Sequence, residues 1–132
     1  MDPNAHPTHI VLVVDDDDDL RDAFTALLTT YGFDVRAARG AEDALRHMRE
    51  GFRPCVVLID LRRDGLALAA RMRADDAMLT DIAIIFVSGD PKKRKRARRL
   101  GIDEVISNPI LEPHALIAAV GRHCRRRSGL TQ

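Results

Sequence analysis

The sequence predicts an α/β fold in which a doubly wound parallel sheet of five strands carries five helices on its two faces. This architecture is a (βα)5 three-layer sandwich. The main observation is that short apolar runs rich in β-branched residues alternate with amphipathic helical stripes along the whole chain. The chain has 132 residues, the length of one domain. Its 45% of apolar and 31% of charged residues exclude a disordered chain, and no apolar run is long enough to span a bilayer.

The first βα unit begins with a buried strand, residues 10–14, followed by the five consecutive aspartates Asp15 to Asp19. Apolar residues then recur at helical spacing and predict an amphipathic helix that Gly32 ends, with Leu20, Ala23, Phe24, Leu27 and Leu28 on its core face. Acidic residues in the first turn suit the positive end of the helix dipole. Asp17, Asp18 and Asp19 are therefore predicted to form a solvated helix start without a further role.

The other elements follow from the same two patterns and complete one domain, residues 10–126, between tails at 1–9 and 127–132. Strands are predicted at 34–38, 55–59, 82–87 and 105–106, and helices at 41–48, 66–72, 92–100 and 113–126. The fourth helix starts with Asp90 as its N-cap and Pro91 at its first position. Ala97 and Leu100 are expected to face the core from this helix.

Candidate functional residues stand where the predicted strands end, because ligands of doubly wound sheets bind beyond the carboxyl ends of the strands. Asp15 and Asp16 follow the first strand, Asp60 the third, Ser88 the fourth and Asn108 the fifth. The three aspartates are expected to converge and to repel one another unless a cation is present. Mg2+ is a hard cation that takes oxygen ligands. A carboxylate held in such a site can also attack phosphorus.

These strand-end residues resemble those of response-regulator receiver domains, the CheY-like, flavodoxin-like modules of two-component signalling. The resemblance spans roughly residues 8–125 and rests on motifs in the family's order and near its spacing: Val13-Val14-Asp15-Asp16, Leu58-Ile59-Asp60, Asp64-Gly65-Leu66, Val87-Ser88-Gly89, Leu100-Gly101 and Asn108-Pro109. Asp-Asp alone is a weak signal, whereas the full series at strand ends is a specific one.

The resemblance implies a role for each of these site residues. Asp60 would accept the phosphoryl group, Asp16 would bind Mg2+ directly, and Asp15 would act on the metal mostly through a water. The backbone carbonyl of Arg62, two residues after the acceptor, would be a further metal ligand. Ser88 would be the switch hydroxyl that hydrogen-bonds the phosphoryl group. The alternative for Ser88 is a strand-end hydroxyl that bonds its own turn.

The sequence departs from the family's pattern at three places. Asn108 stands where the family has a lysine, so this position cannot supply a positive charge, although a cis peptide bond to Pro109 is still expected. The loop after the acceptor lacks about three residues, which puts the metal-binding role of Arg62 in doubt. Arg62 or Arg63 is an alternative source of the missing charge. Val105 replaces the usual aromatic switch residue.

Charge is distributed unevenly along the chain, with a net −6 over residues 1–60 (12 acidic, 6 basic) and +7 over residues 61–132 (8 acidic, 15 basic). The predicted fourth helix concentrates the positive charge, because Lys92–Arg99 holds seven basic residues in eight. This helix would either be a solvated face or dock an acidic protein target. No module that reads nucleic-acid sequence accompanies it, which argues against a nucleic-acid partner.

These observations predict a cytoplasmic receiver that takes phosphoryl groups from a histidine kinase or a phosphotransfer protein and signals by protein contact. It would not be an enzyme, except that it assists its own phosphorylation. The alternative is a degenerate receiver that binds its partner without phosphorylation, through the basic helix. No signal peptide or membrane segment is found, so Cys55 and Cys124 are expected to be reduced thiols.

Overall fold

The computed structural model describes residues 9–75, 79 and 81–128, in which five strands alternate with five helices. The strands are β1 Ile10–Asp15, β2 Asp34–Ala38, β3 Val56–Asp60, β4 Ala83–Ser88 and β5 Glu104–Ser107. The helices are α1 Asp18–Thr30, α2 Ala41–Arg49, α3 Gly65–Asp75, α4 Pro91–Arg99 and α5 Pro113–Ser128. All strands pair in parallel in one sheet with the order β2-β1-β3-β4-β5. The predicted doubly wound α/β fold is confirmed.

Helices cover both faces of this sheet, and each face has its own apolar cluster. One cluster joins the sheet to α2, α3 and α4 through buried residues such as Leu45, Leu68 and Ala97. The other joins it to α1 and α5 through residues such as Leu28 and Leu116. Residues 11–14 of β1 and 56–59 of β3 are fully buried, as expected for central strands of a parallel sheet. The carboxyl ends of the strands therefore rest on a sheet whose two faces are covered by buried apolar clusters.

The two central strands extend one residue further than predicted and include their terminal aspartates. β1 ends at Asp15 and β3 ends at Asp60, while Cys55 lies just before β3. Asp15 and Asp60 are direct partners in the β1–β3 ladder. The backbone of both acidic residues is thus held by the sheet itself, which fixes their relative position.

Three residues predicted to face the core are exposed instead: Leu20, Ala23 and Leu100. Leu20 is 42% exposed because it lies in the first turn of α1, along a groove that the segment around Pro109 also lines. Leu100 is 39% exposed because it caps the end of α4 and its N–H bonds back to the carbonyls of the last turn. Ile102, two residues after Leu100, packs against the core. Leu28 and Ala97 are fully buried, as predicted.

The two cysteines form a disulfide, so the prediction of reduced thiols is wrong for this structure. Cys55 precedes β3 and Cys124 lies in α5, and their Cα atoms are 5.2 Å apart across a sequence separation of 69 residues. Both residues are buried. The disulfide therefore links the central strand to the last helix inside one of the two apolar clusters.

The predicted tails lie mostly outside the described residues, which exclude 1–8 and 129–132. α5 continues to Ser128, two residues beyond the predicted end of the domain at 126. Among the helices that the structure describes, none combines the length and the apolar character needed to cross a membrane.

Candidate functional site

The site begins with two aspartates that lie side by side where β1 and β3 end. The Asp15 side chain is almost completely buried and Asp60 is half-buried, and the two residues are direct partners in the β1–β3 ladder. Asp15 Oδ1 accepts the backbone N–H of Asp17 at 2.9 Å. The Oδ2 atoms of Asp15 and Asp60 are both buried without a hydrogen-bond partner. These two carboxylate oxygens are therefore available to bind a ligand.

Burial and mutual repulsion hold protons on this pair. Burial raises the pKa of Asp60 to about 7, and the adjacent negative charge of Asp15 adds to the effect. Burial also raises the pKa of Asp15, although the hydrogen bond from the Asp17 backbone opposes that rise. Both shifts favour protonated carboxyl groups at this edge of the sheet. A divalent cation that displaced such a proton would remove the repulsion.

Asp16 does not join the pair in this structure. Its side chain is exposed, although its charge is close enough to raise the pKa values of both Asp15 and Asp60. Asp15 is the last residue of β1, whereas Asp16 lies in the bend that follows the strand. In the part of the chain that the structure describes, no three Asp, Glu, His or Cys side chains are grouped as metal ligands. The predicted convergence therefore holds for two aspartates rather than three.

The donor set of the pair nevertheless suits a hard divalent cation. Mg2+ binds proteins through one or two carboxylates and keeps several of its waters. The unpartnered Oδ2 atoms of Asp15 and Asp60 provide this minimum. A buried carboxylate oxygen without any partner costs roughly 1–3 kcal/mol, which a bound cation would recover.

The acidic residues after Asp16 form the start of α1, as predicted, and brace the site. Asp17 is the N-cap of α1, and its side chain accepts the N–H of Leu20 at 3.1 Å. Asp18 pairs with Arg21 within the first turn of the helix. Arg21 also donates to the backbone carbonyl of Asp15 at 3.0 Å, so it ties α1 to the end of β1.

The shortened loop after Asp60 consists of four residues, Leu61 to Asp64, and it turns tightly into α3. Leu61 is buried in the core, and Asp64 has a left-handed backbone with φ of 65°. The carbonyl of Arg62, predicted as a metal ligand, accepts a hydrogen bond from Lys93 Nζ of α4 at 2.7 Å. The side chains of Arg62 and Arg63 are both exposed. A lysine from another element thus occupies the carbonyl assigned to the metal.

Gly65 allows α3 to start directly after this short loop, and replacing it tests how tightly the loop is packed. A Cβ at this position would lie 3.1 Å from the Phe86 ring and 3.3 Å from an Ile59 methyl carbon. We expect Gly65→Ala to lower the free energy of unfolding by about 1–3 kcal/mol, because overpacking forces the neighbouring side chains to move. Urea denaturation would measure this loss. Gly40→Ala is the control, since a Cβ there meets nothing within 4 Å, and an equal loss in both variants would contradict the tight packing.

Ser88 ends β4, and its hydroxyl bonds its own turn. Ser88 Oγ accepts the backbone N–H of Asp90 at 3.1 Å, which is the alternative raised for this residue. Its backbone carbonyl accepts from Arg94 at 2.9 Å and from the Asn108 N–H at 3.2 Å. The ends of β4, α4 and β5 are therefore connected through one strand-end residue. Whether the hydroxyl turns toward a phosphoryl group stays a prediction.

Asn108 is exposed, and its peptide bond to Pro109 is cis, as predicted. The backbone of Asn108 lies close to the loop after β4, since a Cβ on Gly89 would be 3.2 Å from the Asn108 carbonyl oxygen. This position follows the edge strand β5, at the same end of the sheet as Asp60. The backbone is thus placed as the family resemblance implies, while the side chain carries an uncharged amide.

The basic helix α4 divides into residues that contact the site edge and residues that are exposed. Asp90 caps its first turn by accepting the Lys92 N–H at 2.9 Å. Lys93 and Arg94 are half-buried and donate to carbonyls that follow β3 and end β4. The remaining basic side chains are exposed: Lys92, Lys95, Arg96, Arg98 and Arg99. The exposed set forms a positive surface, which we call the α4 basic face.

Lys93 and Arg21 are the residues near the site that the sequence alone did not single out. Lys93 is one of seven basic residues between Lys92 and Arg99, and the sequence does not show which of them contacts the loop after β3. Arg21 had a weak signal, because an arginine three residues after Asp18 pairs with it on a helix surface. No sequence pattern indicated its second bond to the Asp15 carbonyl.

Comparison with known proteins finds sequences that are similar to this chain. Residues 11–121 match the response regulator receiver domain family. The chain is 30% identical over 126 residues to Protein PetR of Rhodobacter capsulatus, across 93% of this chain and 51% of PetR. It is 33% identical over 125 residues to the transcriptional regulatory protein AruR of Pseudomonas aeruginosa, across 88% and 49% of the two chains. The chain thus spans about half the length of these curated relatives.

Solved structures show the same fold. The receiver domain of NtrX from Brucella abortus superposes with a TM-score of 0.76 at 28% identity, covering 87% of this chain and 98% of that domain. A response regulator receiver protein from Pseudomonas putida superposes with a TM-score of 0.76 at 28% identity, covering 86% and 95% of the two chains. These superpositions agree with the five-stranded α/β fold described above.

Proposed function

Because this chain belongs to the response regulator receiver domain family, we propose that it accepts a phosphoryl group on Asp60, with Mg2+ bound beside it, in two-component signalling. The pair formed by Asp60 and Asp15 at the carboxyl edge of the sheet supports this proposal. Both residues keep a buried carboxylate oxygen without a partner. A purely structural role would leave this repulsion and these unsatisfied atoms without compensation.

Asp60 is the residue suited to be the nucleophile. It is the less buried member of the pair, so an incoming phosphorus atom can reach its carboxylate, while Asp15 is enclosed. Asp60 must lose its proton to attack, and burial together with Asp15 opposes this loss in the metal-free protein. Bound Mg2+ supplies positive charge that stabilises the carboxylates and the phosphoryl oxygens. Asp15 and Asp16 would hold the ion, and Arg21 would hold the Asp15 backbone in place.

The donor in this proposal is a histidine kinase or a phosphotransfer protein. The chain is not an enzyme that acts on a separate substrate, because the phosphoryl group ends on its own Asp60. We place it in the cytoplasm, where such relays operate. The disulfide fits that compartment only through its burial, since both sulfur atoms lie where small reductants have poor access.

Incubation with acetyl phosphate and Mg2+, followed by intact mass measurement, tests the proposal. We expect wild type to gain one phosphoryl group and Asp60→Asn to gain none, because the amide is not a nucleophile toward phosphorus. Asp19→Asn is the matched control, since Asp19 is an exposed aspartate in the first turn of α1, and it should behave as wild type. A phosphoryl group on Asp60→Asn would contradict the assignment of the acceptor.

A second candidate function is binding of an acidic protein partner by the α4 basic face without phosphorylation. The bond of Ser88 Oγ to Asp90 favours it, because this hydroxyl is engaged within the protein. In that case Asp60→Asn would leave partner binding intact, while Lys95→Glu together with Arg96→Glu would abolish it. If phosphorylation controls binding, Asp60→Asn would instead remove the response to the phosphodonor.

A further inference from the structure

We propose that Lys93 supplies the positive charge at the phosphoryl site that Asn108 cannot supply. This inference rests on the proposed phosphorylation of Asp60. One contact carries it: Lys93 Nζ donates to the backbone carbonyl of Arg62 at 2.7 Å, and Arg62 lies two residues after Asp60. The ammonium group therefore lies on the loop that directly follows Asp60.

The fold holds Lys93 in reach of the acceptor. Pro91 and the Asp90 side chain fix the first turn of α4, and Lys93 is the third residue of that helix. α4 directly follows β4, the neighbour of β3, so its first turn stands beside the loop that follows Asp60. Two residues span at most about 7 Å along an extended chain, which is comparable to the length of a lysine side chain. A small rotation of the side chain can therefore carry Nζ from the Arg62 carbonyl toward Asp60.

Lys93 is also the cation near the site that is least committed elsewhere. Arg21 already binds Asp18 and the Asp15 carbonyl, and Arg94 is held on the Ser88 carbonyl. Within residues 9–75, 79 and 81–128, Lys93 forms no ion pair with a carboxylate. An ammonium group has three N–H donors, and the Arg62 carbonyl takes one of them. Two donors are left for the oxygens of a phosphoryl group.

Lys93 acts by charge and gives up no proton. In the transfer from acetyl phosphate, an Asp60 carboxylate oxygen forms a bond to phosphorus while the bond from phosphorus to the acetyl oxygen breaks. Acetate leaves with the electron pair of that bond, so no proton is needed for the balance. Negative charge on the phosphoryl oxygens persists throughout, and the ammonium of Lys93 stabilises it in the transition state and in the product.

Initial rates of phosphorylation by acetyl phosphate at saturating Mg2+, followed by intact mass, test this role. We expect Lys93→Gln to slow the reaction about tenfold, because a charge-assisted hydrogen bond is lost. Lys93→Arg should keep most of the rate, since it keeps the charge. Lys95→Gln is the matched control on the exposed side of the same helix and should change nothing. Asn108→Lys should raise the rate more in Lys93→Gln than in wild type, because the two lysines would supply the same charge; equal increases in both backgrounds would indicate a merely structural role of Lys93.

The outcomes separate this inference from the proposed function. If Lys93→Gln reacts as fast as wild type while Asp60→Asn does not react, the role of Lys93 is overturned and the acceptor stands. If acetyl phosphate does not phosphorylate wild type, the melting temperatures of wild type and Lys93→Gln are measured with beryllofluoride and Mg2+ to test both proposals. A rise in wild type that Lys93→Gln lacks supports the inference, and a rise kept in that variant overturns it. No rise in wild type overturns both proposals.

Discussion

Reduction of the disulfide between Cys55 and Cys124 is expected to lower the free energy of unfolding by about 4 kcal/mol. The disulfide closes a loop of 69 residues, and a cross-link of that span removes conformational entropy from the unfolded chain. The loss corresponds to a fall in melting temperature of roughly 10–15 °C for a domain of this size. Thermal denaturation with and without dithiothreitol would measure it.

Cys124→Ala provides the control for this prediction. The variant should melt near the temperature of the reduced wild type, and dithiothreitol should no longer shift it. Thiol titration of the unfolded, unreduced protein should find no free thiol in wild type. Two free thiols in that titration would contradict the disulfide. The measurement also bears on compartment, because it establishes whether the cross-link is closed in protein purified from a reducing cytoplasm.

The stability of the metal-free protein is expected to fall as the pH rises from about 4 to about 7 because of Asp60. Burial first, and then the charge of Asp15, raises the pKa of Asp60 from 3.8 to about 7 in the folded protein. The folded state therefore binds this proton more tightly than the unfolded chain. The resulting stability is fully present below the unfolded pKa and is lost as the pH passes through the folded pKa. We expect a loss of about 2–4 kcal/mol between pH 4 and pH 8.

Urea denaturation of wild type and Asp60→Asn across this pH range measures the effect. The variant should be the more stable protein at pH 8 without metal, since it removes a buried charge beside Asp15. Asp19→Asn should retain the wild-type pH dependence. Added Mg2+ should stabilise wild type at pH 8 more than Asp60→Asn, because ligands that bind only the folded state stabilise it. Identical pH profiles for wild type and Asp60→Asn would contradict the burial of a charged pair.

These two predictions concern the two ends of the same central strand. Cys55 precedes β3 and Asp60 ends it, so the cross-link and Asp60 lie at the two ends of one five-residue strand. The disulfide is expected to stabilise the domain, whereas the aspartate pair is expected to destabilise it at neutral pH. The domain thus combines a stabilising cross-link with an unfavourable pair of carboxyl groups, a combination that is common where function requires unfavourable charges.

The sequence alone determined the order of the elements and the location of the site. β-branched apolar runs and helical stripes differ in period, so local patterns distinguish strands from helices without tertiary information. A parallel sheet brings its carboxyl ends to one edge, which placed Asp60 near Asp15 and put Ser88 and Asn108 at the same edge. The short loop and the missing lysine were also visible, because both are departures from a pattern at known positions.

Tertiary structure decided which of these groups meet. The β1–β3 register pairs Asp15 with Asp60 and leaves Asp16 exposed, and register depends on interstrand packing. The disulfide depends on the 5.2 Å distance between two Cα atoms whose residues are 69 apart in the chain. Lys93 differs from the other basic residues of α4 only by the direction in which the packed helix turns it. Contacts between distant segments depend on how whole elements pack, and no local period of the sequence encodes that packing.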